Sequence, residues 1–266
     1  MNSPLLALET SGTRCSVALW RGATPSPQVT HAFHDGAQTH AERLIPIVNS
    51  LLSEAGLVPA DLGAIAFGQG PGSFTGLRVA CAVAQGMGMA LSIPLIPIVG
   101  LDAVADQVSR REGAQLVWVA MDARMNEVYA RAYVLDPRPA ESAPRALCPP
   151  VLLAASDLPR WMAQQHAQWA DQGAPSLGAY TGDAWDAYPE SVIGMDPRWA
   201  AVSVMRPEAT AIARLGVLAR AEGKTIDAAD AAPLYVRDKV AFTTAEREAG
   251  SGGNPRAMSS STETRP

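Results

Sequence analysis

The sequence predicts an α/β fold in which short buried strands alternate with helices. Three observations predict it. Residues 15–20, Cys-Ser-Val-Ala-Leu-Trp, have the pattern of a half-buried strand. Leu44, Ile47, Val48, Leu51, Leu52 and Ala55 recur at helical spacing on one face. From residue 64 onward, strand-length and helix-length apolar segments follow one another, which indicates parallel pairing through crossover helices after antiparallel opening hairpins.

Taken in order, residues 5–10 are an apolar run that ends in Glu9-Thr10-Ser11-Gly12. A turn through Gly12, Thr13 and Arg14 leads into the second strand, and a third is expected around residues 28–34. Glu9, Thr10 and Ser11 therefore sit at a strand end beside a glycine turn. There, a carboxylate and short hydroxyls either face a phosphate or a metal, or simply cap the turn. Residues 39–56 follow as an amphipathic helix stopped by Gly56, with Pro46 predicting a bend or a boundary. Residues 64–67 form a short buried strand.

Residues 68–78 read G-Q-G-P-G-S-F-T-G-L-R, and the rest of the chain is organised around them. Four glycines and a proline cannot continue a strand or a helix interior. A tight turn at a helix start points successive N–H groups into one concavity, which favours an anion. Gly70, Gly72, Ser73 and Thr75 are the candidates for such a site, and Ser73 or Thr75 can cap the helix. The plainer reading, a glycine-rich strand-to-helix connection, stays open. The spacing lacks the lysine of a P-loop, so a nucleotide kinase of that type is not expected.

The next helix, residues 79–91, is apolar or glycine almost all round and must be covered on more than one side. Pro94, Pro97, Gln85 and Ser92 interrupt the uncharged span 79–101, so no membrane crossing is expected. A strand at 94–99 and a helix at 101–112 follow, then a hairpin of 116–121 and 127–135 joined through Asp122-Ala-Arg-Met-Asn126. Residues 136–150 read as a long loop, and 156–171 as a helix that Ser156 can cap. Residues 177–181 form a strand, Gly182-Asp183 a turn, and 206–223 a late amphipathic helix. Beyond residue 242 the polar composition predicts a disordered tail. No internal repeat is evident in the sequence.

The net charge of −5 argues against wholesale wrapping of nucleic acid. Three cysteines, Cys15, Cys81 and Cys148, suit reduced thiols in a cytoplasm better than a disulfide framework, and the N-terminus has no signal-peptide pattern. The four histidines, His31, His34, His40 and His166, include no pair at helical metal-binding spacing, so no metal site is expected. No motif for a covalent nucleophile is present.

The opening L-A-L-E-T-S with C-S-V-A-L-W, the glycine stretch, the D-A-R-M-N-E-V-Y hairpin and the late P-L-Y-V-R-D-K-V-A together resemble the bacterial TsaB family, also called YeaZ. The resemblance spans nearly all of the chain expected to be ordered. It implies the two-lobed fold of actin-like ATPases, sugar kinases and Hsp70, with a reduced second lobe. The lobes would be residues 1–102 and 103–242, with the late helix able to pack back on the first and 243–266 as the tail. It further implies a non-catalytic scaffold subunit in making threonylcarbamoyladenosine beside the anticodon of tRNAs that read codons starting with A. The partner would be a TsaD-like catalytic paralogue, joined by a TsaE-like ATPase. ATP and metal would belong to those subunits and no cofactor to this one, with tRNA engaged through the complex.

By the same resemblance, helices 39–56 and 76–91 form the dimer face, through Leu44, Val48, Leu51, Val83, Ala84, Met87 and Gly88. A homodimer through these helices is the expectation when the partner is absent. The paralogue's H-x-x-x-H metal pair cannot form, because Leu44 follows His40 at that spacing. Glu9 departs from the family's Asp-Thr by one methylene, and Gly182 stands among few glycines in the second-lobe nucleotide region. The open alternative is an autonomous ATPase of the same fold or a related peptidase.

Overall fold

The computed structural model describes residues 3–22, 26–108, 115–136, 142–176, 178–193, 195–203 and 206–237. The expected tail, 243–266, lies outside them, as do the end of the helix expected at 101–112 and part of the loop at 136–150.

The first lobe is a five-stranded sheet built from β1 (Leu5–Glu9), β2 (Arg14–Arg21), β3 (Gln28–Asp35), β4 (Ala64–Gly70) and β5 (Leu95–Val99), in the order β3-β2-β1-β4-β5. β1 pairs antiparallel with β2 and parallel with β4, and β4 pairs parallel with β5. Every residue of β1 is buried, as a central strand covered on both faces requires. One face is covered by α1 (His40–Glu54) and α2 (Phe74–Leu91), through Leu44, Leu51, Ala80 and Ala84. Pro46 does not end α1, and the chain turns at Gly56 with φ +67°. Ser73 caps α2 by accepting the Gly76 N–H.

The second lobe holds β6 (Gln115–Arg124), β7 (Glu127–Leu135), β8 (Arg145–Ala146), β9 (Val151–Ala154), β10 (Gly178–Thr181) and β11 (Trp199–Ala201). Its order is β8-β7-β6-β10-β11, with β9 also on β7. The hairpin partners are antiparallel and β6, β10 and β11 parallel, so this sheet repeats the plan of the first. The repeat is invisible in sequence because the two sheets share strand order rather than residues.

This is the actin-like ATPase, sugar kinase and Hsp70 fold, and the reduction of the second lobe is concrete. Where the first lobe places 18-residue α2 between its parallel strands, the second has only the four residues of α5 (Ala184–Ala187) and a short 3₁₀ turn. α4 (Leu158–Ala170) covers that sheet together with a cluster of tryptophans around Trp118. Ser156 does not cap α4; it lies in a 3₁₀ turn ahead of it. β8 falls in the loop expected at 136–150, and β9 and β11 fall in stretches given no element; all three are two to four residues long, too short for a periodic signal.

The two remaining helices are exchanged between lobes. α3 (Gly100–Asp106) follows the first sheet in sequence yet packs on the second, with Leu101 and Val104 against Val117 and Tyr133. Asp102 fixes it there by accepting hydrogen bonds from Arg131 and Tyr133, both 2.6 Å. α6 (Ala209–Ala221) follows the second sheet yet covers the open face of the first, with Ile212 and Leu215 against Leu5 and Ile96. Arg214 of α6 pairs with Asp106 of α3 and joins the two.

Among the described residues one helix, α2, is long and apolar enough by length and composition to cross a membrane. Here it seats Leu77, Ala80, Cys81, Ala84 and Gly88 against its own lobe.

Candidate functional site

Matching strand ends bring two turns to one cavity of about 450 Å³ between the lobes. The β1–β2 turn contributes Ser11, Gly12 and Thr13, and the β6–β7 turn contributes Asp122 to Met125. Gly72 and Ser73 line it from the glycine loop, Asp183 from just beyond β10, and residues 234–237 from the segment after α6.

Three of the eight residues proposed to bind an anion or nucleotide, Ser11, Gly72 and Ser73, line this cavity. The other five do not, and each has a reason. Glu9 turns inward: it is 1% exposed, its Oε1 accepts the Ser11 N–H, and its Oε2 has no protein partner. Thr10 is buried and donates its hydroxyl to the Gly76 carbonyl at 2.6 Å. Gly70 sits against Leu77 and Leu234. Thr75 points out from the first turn of α2. Gly182, at φ +111°, is pressed on the Ala120 carbonyl.

The glycine loop is thus a close-packing device. A Cβ at Gly72 would lie 2.7 Å from the Ser11 carbonyl oxygen, and one at Gly76 would lie 1.9 Å from that of Thr10. The Ser73 N–H, which a nest would offer to an anion, instead donates to the Ser11 carbonyl at 2.7 Å.

On the second-lobe side, Asp183 accepts the Asp122 N–H at 2.8 Å, and Asp122 accepts from the Tyr188 hydroxyl and the Arg124 N–H. Burial holds the Asp183 carboxyl above the usual carboxylate range, and the Asp122 charge adds to the effect. Arg124, Arg206 and Arg237 also line the cavity. Arg206 donates to the Thr13 hydroxyl at 3.2 Å, while Arg237 pairs with buried Glu127 at 2.6 Å. Sequence reasoning gave these arginines no role. Arg124 and Arg237 lie within the D-A-R-M and P-L-Y-V-R motifs, and nothing signalled Arg206.

Burial raises Glu9 from 4.5 to about 7. The native state therefore holds this proton more tightly than the unfolded chain does. Stability falls as pH rises from about 4.5 to about 7 and levels off above, by about 3 kcal/mol in all. Urea unfolding at pH 5 and pH 8 should show this loss in the wild type and not in Glu9→Gln. An equal loss in both would remove Glu9 as its cause.

The partner face needs a correction. Leu44, Val48, Leu51, Ala84 and Gly88 are buried in the first lobe's own core and cannot meet another protein. Val83 and Met87 are half-buried beside that core. The outward surface consists of Ile45 on α1 with Ala82, Gly86, Met89 and Ala90 on α2, and Met89 is 56% exposed. Spacing finds the apolar residues of a helix but not which side of an all-apolar helix faces out. Buried His40 has no protein partner at either ring nitrogen, and Leu44 lies one turn on. Among the described residues, no group of three His, Cys, Asp or Glu side chains is placed to hold a metal ion.

Residues 34–170 match the family described as TsaD: tRNA N6-adenosine threonylcarbamoyltransferase. The tRNA threonylcarbamoyladenosine biosynthesis protein TsaB of Escherichia coli strain K12 is 31% identical over 243 residues, covering 90% of this chain and 96% of that protein. The protein of the same name from Haemophilus influenzae is 44% identical over 129 residues, covering 48% of this chain and 52% of its own. Among solved structures, YeaZ from Pseudomonas aeruginosa superposes with a TM-score of 0.70 at 33% identity, covering 88% of this chain and all of that one. A second structure, of a Pseudomonas aeruginosa protein described as similar to peptidase YeaZ, gives 0.73 at 33% identity over 89% of this chain and all of that one. With identity of this level over nearly the whole length, and a shared fold, the chain belongs to the TsaB (YeaZ) family of tRNA threonylcarbamoyladenosine biosynthesis proteins.

Proposed function

We propose that this chain is a non-catalytic scaffold in tRNA threonylcarbamoyladenosine biosynthesis that binds and positions a TsaD-like transferase. A TsaE-like ATPase joins the pair, ATP and metal belong to those subunits, and tRNA is met through the assembled complex. The names of the relatives support the pathway. The match of residues 34–170 to the transferase's own family supports kinship between this chain and that partner. Pairing of two such relatives through equivalent helices is the simplest way to join them.

The observation that carries the reading is the outward side of α2. Ala82, Gly86, Met89 and Ala90 present small and apolar groups to solvent, and Ile45 of α1 is exposed as well. A Cβ added at Gly86 meets nothing within 4 Å, so a second helix can approach closely there. The same surface can pair two copies of this chain when the transferase is absent.

Met89→Arg and Gly86→Arg test this by placing a charge in the proposed interface without touching the core. Both variants should fold, and each should bind the TsaD-like transferase of the same cell at least about tenfold more weakly in titration calorimetry. Unchanged affinity in both would remove this face from the interface. Turnover of ATP or peptide by the purified chain would favour an autonomous enzyme instead.

A further inference from the structure

The late P-L-Y-V-R motif has no part in the function proposed above, yet its residues touch both lobes. The segment that carries it starts at Ile226, which exchanges two backbone hydrogen bonds with Leu95 on the edge of β5, at 2.9 and 3.0 Å. It then runs along α2, where Gln85 donates to the Ala228 carbonyl at 3.0 Å and Gly88 leaves room for the Ala228 side chain. The Leu234 N–H donates to the Gln69 carbonyl in the glycine loop at 2.6 Å. The Tyr235 ring lies 5.6 Å from that of Phe74, and its hydroxyl accepts the Arg78 Nε–H at 3.0 Å.

Two residues later the chain has crossed to the other lobe. Arg237 pairs with Glu127 and donates to the Ala123 carbonyl at 2.9 Å. It thereby grips the β6–β7 turn, where Arg124, Met125 and Asn126 stand in succession at φ +63°, +60° and +57°. Consecutive left-handed residues other than glycine are strained, and they persist where their surroundings over-determine them.

We propose that residues 226–237 are an interlobe strap that ties α2 and the glycine loop to the β6–β7 turn, and so sets the width of the cavity between them. Leu234 and Arg237 are three residues apart, so the two anchored turns stay within about 10 Å of chain. Phe74 and Tyr235 are 40% and 45% exposed at the cavity mouth, which taken alone would suit a stacking platform for a nucleobase. But Phe74 already packs against Tyr235, the rings tilted by 34°, and carries the Arg78 guanidinium 3.7 Å over its ring. These contacts hold the strap to α2.

The test is hydrogen exchange read by mass spectrometry on the full chain. Tyr235→Ala loosens the strap at its first-lobe end only. If the strap is a tether, amides of residues 122–127 in the opposite lobe exchange about tenfold faster or more, along with those at the start of α2. Arg237→Met should give the same pattern from the other end, with faster exchange reaching residues 69–76. Should Tyr235→Ala fail to fold, Tyr235→Phe, which keeps the ring and loses the Arg78 bond, carries the same test with a smaller change. Faster exchange confined to the mutated end, or no change at either, would overturn the proposal.

Discussion

Gly76→Ala is expected to lower the melting midpoint by about 10 °C, whereas Gly86→Ala, ten residues further along the same helix, is expected to raise it slightly. The substitution is identical and both sites are helical, so intrinsic propensity favours alanine at each by about 0.5–1 kcal/mol. Space decides the difference. A Cβ at Gly76 would sit 1.9 Å from the Thr10 carbonyl oxygen, a backbone atom directly after the central strand that cannot swing aside. The start of α2 would have to move off the β1–β2 turn. That movement breaks the Thr10 hydroxyl bond to Gly76 and strains the Ser73 to Ser11 bond. Overpacking at about 1–3 kcal/mol, the broken bond at about 1 kcal/mol and part of the strained one, less the alanine preference, leave a loss of about 2–4 kcal/mol. At Gly86 the added methyl meets nothing. Differential scanning calorimetry of the two variants checks the contrast, and equal midpoints would mean that the loop tolerates separation from the turn.

Ala84→Arg is expected to leave little folded protein at all, which separates it from Gly86→Arg on the same helix. Ala84 is fully buried between α2, α1 and the first sheet. A guanidinium there has neither room nor a partner for its charge, and the penalty of several kcal/mol is comparable with the whole stability of a domain. Circular dichroism and soluble yield should collapse for Ala84→Arg while remaining as wild type for Gly86→Arg. A soluble, cooperatively melting Ala84→Arg would show that α2 can rotate its buried side outward.

The strands and helices of the first lobe were legible because each carries its own period and its own stop. Ser73 caps α2 as its position suggests, and Gly56 ends α1 in the left-handed conformation that its type allows. The β6–β7 hairpin was equally plain. The site was less legible, because what the glycine loop does depends on which backbone passes within 3 Å of it. Nothing near residues 68–76 in sequence announces the carbonyls of Thr10 and Ser11. In the same way, a carboxylate at a strand end looks poised for a ligand until its side chain is seen folded back over Gly68, where a Cβ would collide with it. The arginines of the cavity come from residues 124, 206 and 237, and only folding brings them together.

The exchange of α3 and α6 bears on how this polypeptide is made. The first sheet has all its strands once residue 99 has been synthesised, yet one of its faces stays bare until residues 209–221 arrive. The second sheet receives its covering helix early, since residues 100–106 precede it. On the ribosome, the half that is translated last can therefore finish first, while the half that is translated first waits with an apolar surface open to water.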